Sequence, residues 1–394
     1  MNSVWILLPI ILGGHSRDPF WLVNEDDYCG REGPQAYESR ALEPGIKLES
    51  VQVLFRHGAR GEHQRSKCFG GEQTKYSCTM QTGFQLISSS NNDLRTTQLI
   101  KHFESDSKSC SLGQMLDVGV DQVNRLGKYL GAAYGVSHFN DKTLSKVHLY
   151  STDTQRTMGT LSVLLSKLFP NSPGPFNVNT RELDEDYFGL NVPQCPLHRK
   201  LRSEFAESQM YKRVTATEKF KRCKKLWKEL FGTEFEIFKS DDCLVSAKCA
   251  DVPLPNGKEM NASLFECTMD ASFYLKKARL GAFPESSYFK EGKTVCEIAS
   301  FLVFEKLRES VRKGEIGGLY AIHDETFSCL LSALGLWGPD AIWPRYAEAL
   351  AFEFFSDNKV RIVRNGKPLA LLSSLELKGI RTQAEYQSLC ATLL

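Results

Sequence analysis

The chain reads as an α/β protein, a mostly parallel central sheet flanked by helices with a smaller, mainly helical cap domain. Three observations lead there. Short β-branched and aromatic runs at Val51–Phe55, Val147–Tyr150 and Gly318–Ile322 alternate with segments of helical spacing. From about 183 to 290 the pattern changes to charged, cysteine-bearing helical segments with little strand signal. Two alternating runs, Leu350–Phe355 and Val360–Val363, then close the chain as an antiparallel hairpin around Asp357-Asn358.

At the N-terminus an apolar run from Val4 to Leu12 precedes Gly13, Gly14 and Ser16. A bilayer takes about 20 apolar residues, so the run is too short to span one. The small-x-small pattern of Gly14 and Ser16 marks residues 1–16 as a cleavable secretory leader. The missing positive n-region keeps a short anchor as the alternative. No later segment is apolar enough for a span, and no stable membrane insertion is expected.

Residues 17–182 form the first part of the α/β domain, beginning with a polar arm punctuated by Pro and Gly. Leu116, Val120, Val123, Leu130 and Tyr134 keep helical spacing up to Gly135. Ser151-Thr152-Asp153 offers caps for a helix that carries Leu161, Leu164 and Leu168 on one face and stops before Pro170. Residues 183–290 are the inserted cap. Residues 291–394 complete the α/β domain, with helix expected around 297–308 and 330–334 and a turn at Asn365-Gly366.

A net charge of +2 predicts no general attraction to nucleic acid, and none is expected as a partner. The charge is locally uneven, because basic side chains greatly outnumber acidic ones from Arg199 to Lys228. Such a run is a solvated helical face or a surface for an anionic polysaccharide. Twelve cysteines spread from Cys29 to Cys390 without tight CxxC pairs read as disulfides rather than a zinc site. Cys243 with Cys249, and Cys68 with Cys78, are short-loop pairings open to them, and Cys329 in an apolar helix reads equally as a buried thiol. Asn261-Ala-Ser263 is an N-glycosylation sequon. Leader, cysteines and sequon favour the lumen of the secretory pathway (Golgi, lysosome) or secretion.

In open α/β sheets ligands bind outside the carboxyl ends of the strands, and the chemically rich segments sit there. Arg56, His57, Gly58 and Arg60 follow the first strand, Arg156 lies in the first turn after the second, and His323 with Asp324 ends the third. Guanidiniums clamp anion oxygens, and Gly58 lets backbone amides approach an anion closely. Together these residues describe a phosphate site.

The arginine-histidine-glycine segment, the segment STDTQRT at Ser151–Thr157 and the strand ending in His-Asp resemble the histidine acid phosphatase family in order and over most of the chain. The resemblance implies a phosphoglycerate mutase-like sheet, with residues 183–290 as the cap that shapes the cleft. It implies His57 as the nucleophile that becomes phosphorylated, Asp324 as proton donor to the leaving alcohol, and Arg56, Arg60, Arg156 and His323 as phosphate ligands. The chemistry agrees, since fixed guanidiniums match the charge on a loose phosphoryl transition state and an acid must supply the leaving alkoxide's proton. Glu325 is the rival donor, expected to diverge from Asp324 at the start of a helix. No metal or organic cofactor is implied. The substrate is a small-molecule or glycan phosphate monoester, and some similarity to the phosphoxylose phosphatase branch suggests the 2-phosphoxylose of the glycosaminoglycan linkage region. One departure stands out: where the family pattern carries proline, two residues after Arg60, this chain has Glu62. A looser loop and a negative charge near a dianion give the competing expectation, a weakened phosphate- or glycan-binding pseudophosphatase.

Overall fold

The computed structural model describes residues 28–34, 45–63, 68–71, 74–81, 84–89, 94–99, 103–104, 110–172, 174–257, 260–280, 295–338, 341–372, 380 and 382–391. The leader expected at 1–16 lies outside the described residues. Eleven strands are found among them: β1 (Leu48–Arg56), β2 (Met80–Gln81), β3 (Phe84–Ser89), β4 (Leu94–Leu99), β5 (Phe103–Glu104), β6 (Val147–Ser151), β7 (Phe176–Arg181), β8 (Gly317–Ile322), β9 (Ala349–Phe355), β10 (Val360–Arg364) and β11 (Lys367–Leu372). Nine form one sheet in the order β11-β10-β9-β1-β8-β6-β7-β4-β3. The centre, β1, β8, β6 and β7, is parallel, and both margins are antiparallel.

The parallel centre explains the continuous apolar runs. β8 is buried at every position because helices cover both faces of a parallel core. Alternate residues divide between two hydrophobic layers. Val53, Phe55, Leu319 and Ala321 face helices α1 (Asp117–Tyr134) and α2 (Gln155–Leu168), which contribute Val123, Leu126, Leu130, Leu161 and Leu164. Leu54, Tyr320 and Ile322 face the opposite layer. That layer continues without a break into a helical segment made of α3 (Pro196–Ser203), α4 (Gln209–Thr215), α5 (Glu218–Phe231), α6 (Ile237–Cys249) and α7 (Ala262–Arg279). Helices α8 (Val295–Arg312), α9 (Asp324–Ala333) and α10 (Gln383–Ala391) complete it.

Register positions the site. Arg56 pairs with Ile322 and Ser151 with Ala321, so β1, β6 and β8 end at one level and release residues 57–60, 152–156 and 323–324 side by side.

Four local expectations change. Asn365 and Gly366 both take positive φ and turn β10 into β11, so the closing hairpin is a three-stranded meander. Strands β3 and β4 extend the other margin from a stretch that reads as loop. Helix α2 is capped at Thr154 without a side-chain bond, not by Ser151, Thr152 or Asp153. The cysteines pair across the fold: Cys29–Cys249, Cys68–Cys243, Cys78–Cys110, Cys195–Cys390, Cys223–Cys267 and Cys296–Cys329. The short-loop pairings are therefore wrong, and Cys329 is no thiol; both errors arise because neighbours in sequence point to different elements in space.

Candidate active site

His57 leaves β1 with its ring 2 % exposed. Its Nδ1 lies 2.8 Å from the Gly58 carbonyl, which only accepts, so Nδ1 carries the proton and Nε2 keeps its lone pair. Burial, then Arg156, Arg56, His323 and Arg60, push its basicity well below the ordinary histidine range, which keeps the ring neutral. The His323 ring stands edge-on at 5.5 Å.

Three arginines surround this imidazole. Arg56 is almost fully buried, with one Nη donating to the Pro344 carbonyl at 2.7 Å and the other to the Tyr28 hydroxyl at 2.9 Å. Its guanidinium lies 4.1 Å from the Tyr346 ring centre and makes a 3.0 Å ion pair with Asp324. Arg60 donates to the Gly61 carbonyl at 3.0 Å and pairs with Asp242 of α6 at 2.6 Å. Arg156 has no carboxylate within ion-pair distance among the described residues, and one Nη donates to His323 Nδ1 at 3.2 Å. Burial and the neighbouring Arg60 lower its pKa to about 9, so it stays cationic in neutral and acidic solution. Among the described residues five buried arginine Nε groups lack a partner, and three of them belong to Arg56, Arg60 and Arg156. A buried donor left unmatched is costly, and an oxyanion among these three would relieve it.

His323 accepts from Arg156 at Nδ1, so its Nε2–H donates to Thr152 Oγ1 at 2.9 Å. Asp324 opens α9. Its Oδ2 accepts from Trp343 Nε1 at 3.0 Å and its Oδ1 from the Glu325 amide at 3.0 Å. Burial alone would raise the carboxyl, but Arg56, Lys276, the Trp343 indole and Arg60 overcome burial and hold it well below the usual range. Glu325 diverges as expected, its carboxylate bound to Arg279 of α7.

Arg60 and Asp324 line a cavity of about 250 Å³, walled on one side by the helical segment through Phe238, Asp241, Asp242, Lys276 and Arg279. Glu62 does not line it. Its side chain is 2 % exposed, and its carbonyl accepts the Gly113 amide at 3.0 Å. The loop that lost the family's proline is thereby tied down.

Gly58 serves a different purpose from the one expected. Its amide donates to Thr160 Oγ1 at 3.0 Å and the next amide, Ala59, to Gln122 Oε1 at 2.8 Å, so neither faces an anion. A side chain at Gly58 would lie 2.6 Å from the Gly119 carbonyl of α1, which is the close approach that requires glycine. Asp242, Trp343 and Lys276 escape the sequence reading, since nothing near them in the chain marks them as neighbours of Arg60 and Asp324, while Thr152, read there as a helix cap, is instead the partner of His323. The basic run from Arg199 to Lys228 does not line the cavity. Lys200, Lys212, Lys221, Lys225 and Lys228 have acidic partners, and Lys219 pairs with Asp270. Among the described residues no metal-holding group of His, Cys, Asp and Glu occurs, and no helix is long and apolar enough to cross a membrane.

The sequence profile of the histidine phosphatase superfamily (branch 2) matches residues 47–284. The chain belongs to that superfamily. It is 24 % identical over 390 residues to 2-phosphoxylose phosphatase 1 of Xenopus tropicalis, covering 88 % of this chain and 73 % of that one. It is 27 % identical over 344 residues to prostatic acid phosphatase of Rattus norvegicus, covering 81 % and 78 %. The fold is similar to that of Bifidobacterium longum multiple inositol polyphosphate phosphatase in complex with inositol hexasulfate, at TM-score 0.53 and 11 % identity over 88 % and 93 % of the two chains. Hafnia alvei phytase, in complex with myo-inositol hexakis sulphate, is similar at TM-score 0.52 and 14 % identity over 82 % and 85 %. As a branch 2 histidine phosphatase the protein is a phosphoric monoester hydrolase. Its six disulfides fit a lumenal or secreted protein.

Proposed function

We propose that the protein is an acid phosphatase working through a phosphohistidine at His57, with a phosphorylated glycan as substrate. The observation that carries the mechanism is the neutral imidazole whose Nε2 lone pair sits among three buried guanidiniums. Arg56, Arg60 and Arg156 bind the phosphoryl oxygens, and His323 joins them as a donor by taking a proton from acidic solvent at Nδ1 once an anion draws Arg156 away from it. His57 Nε2 attacks phosphorus, the P–O bond to the alcohol breaks, and Asp324 supplies the proton to the departing oxygen. Water then attacks the phosphohistidine, Asp324 takes its proton, and inorganic phosphate leaves. Asp324 is ionised in the free site. A bound phosphate dianion opposes the field of Arg56 and Arg60 and raises the carboxyl, so acid pH populates the proton-donating form. Glu325, held by Arg279, is a poorer donor.

The helical segment, residues 183–290, acts as the cap. Its cations along the cavity have carboxylate partners, and Tyr28, Phe238 and Tyr346 add aromatic faces. Paired donors and acceptors with aromatic faces suit the hydroxyls and C–H faces of a sugar, in keeping with the similarity to a 2-phosphoxylose phosphatase. An anionic polysaccharide carrying that sugar would rest on the exposed cations Arg199, Arg213, Arg222 and Lys224. The proposed setting is the Golgi or lysosomal lumen, or outside the cell, with a glycan on Asn261, which caps α7 by accepting the Leu264 amide at 3.0 Å.

The test is turnover of aryl phosphate, lysophosphatidate, a phosphopeptide and a xylose-2-phosphate glycan across pH, with His57→Ala as control. Turnover at acid pH, lost in the variant and fastest on the glycan, is expected. Phosphate binding without turnover would leave the pseudophosphatase, and faster lysophosphatidate would overturn the glycan.

A further inference from the structure

We propose that Asp242, on the helical segment, is a positioning residue for Arg60, holding its guanidinium in the one placement from which it can meet the phosphoryl group. This rests on the reading of Arg60 as a phosphate ligand. Arg60 has five N–H donors on a long side chain, and nothing in its own loop except the Gly61 carbonyl fixes them. The rest comes from one face of α6. Asp242 Oδ1 takes one Nη at 2.6 Å, and Ser246, one turn further on, accepts from the other at 3.4 Å. With both Nη groups engaged, the buried Nε–H is the donor without a partner.

Asp242 also fixes the loop that carries Arg60, because its Oδ2 accepts the His63 amide at 2.9 Å. The helix has little freedom of its own. Cys243, the next residue, is bonded to Cys68, just beyond that loop, and Cys249 at the helix end is bonded to Cys29. The placement matters electrostatically as well, since Arg60 is the largest charged neighbour opposing the cation on Arg156. A carboxylate paired with Arg60, and also acting on Arg156, lets two guanidiniums stay close together without a phosphate between them.

A residue that merely docked the helical segment would change stability but act independently of Arg60. The experiment is therefore a double-mutant cycle of Asp242→Asn and Arg60→Ala, read by kcat/KM on an aryl phosphate, by the dissociation constant of inorganic phosphate and by thermal unfolding. Asp242→Asn is expected to lower kcat/KM and weaken phosphate binding about tenfold in the parent enzyme. In the Arg60→Ala background the same change should have less than about a twofold effect. Equal factors in both backgrounds, or tighter phosphate binding in Asp242→Asn, would overturn the proposal. Ser246→Ala gives a milder version of the same cycle should Asp242→Asn fail to fold. A parent protein without turnover would sink the phosphatase reading, while the phosphate-binding arm would still decide the role of Asp242.

Discussion

The base of the cavity and its helical wall use the same residue types in different proportions. At the base, Arg56 and Arg60 each have a carboxylate but Arg156 has none among the described residues, and a neutral histidine lies between them. Along the wall, Lys276 is matched to Asp241, Arg279 to Glu325 and Lys239 to Glu236. The difference teaches where binding energy for a dianion resides. An unbalanced cluster attracts charge, whereas a balanced lattice presents donors and acceptors without net attraction and discriminates by shape and hydrogen bonding.

The sharpest way to break this contrast is to act on the proton at the base. Asp324→Asn should lower kcat about 10³-fold on an alkyl or sugar phosphate but far less on a good aryl leaving group. A drop independent of leaving-group pKa, read from a series of substituted phenyl phosphates, would assign Asp324 a binding role instead. Next in size, Arg156→Ala should weaken inorganic phosphate and lower kcat/KM about 10²-fold on every substrate, because it removes the unbalanced cation. On the wall, Arg279→Gln should leave a small aryl phosphate within about twofold and raise KM for a glycan substrate a few-fold. Equal effects on both substrates would erase the distinction between base and wall.

A last test compares two buried carboxylates by stability rather than by turnover. Asp324 is held low by cations, whereas Asp186, behind the base, is pushed up to about 7 by burial, against hydrogen bonds from the Tyr150 hydroxyl at 2.7 Å and the Phe188 amide at 2.9 Å. A raised folded-state pKa contributes stability that is full below the unfolded value of about 4 and is lost as pH rises through about 7. Denaturant unfolding should therefore show greater stability at pH 5 than at pH 8, by on the order of a few kcal/mol, and Asp186→Asn should flatten that slope. An unchanged slope would show that Asp186 does not set it.

The parts of the molecule legible in the sequence are those where one segment suffices. β1, β6 and β8 stand out as short runs rich in apolar and aromatic residues, β8 buried at every position, and Arg56, His57, Arg60, Arg156, His323 and Asp324 follow from their place at strand ends. What a second element supplies stayed hidden. Asp242 is one carboxylate among many on a charged helix until α6 is set against the loop at Arg60, and Trp343, stacked on Phe273 of α7 at 5.5 Å, meets Asp324 only in the folded chain. β3 and β4 were missed for a related reason: short polar strands at a sheet margin lack the apolar signature of a buried one.

The pairing of β1 with β8 also orders events during synthesis. His57 emerges from the ribosome early, yet Arg56 has no Ile322 to lie beside, and His57 no His323, until most of the chain has been made. Cys29 waits 220 residues for Cys249, and Cys195 waits 195 residues for Cys390, in the last described helix. A nascent chain therefore carries its proposed nucleophile and arginines long before it carries His323 and the proton donor Asp324, and phosphatase activity marks a chain whose C-terminal third has been made and docked.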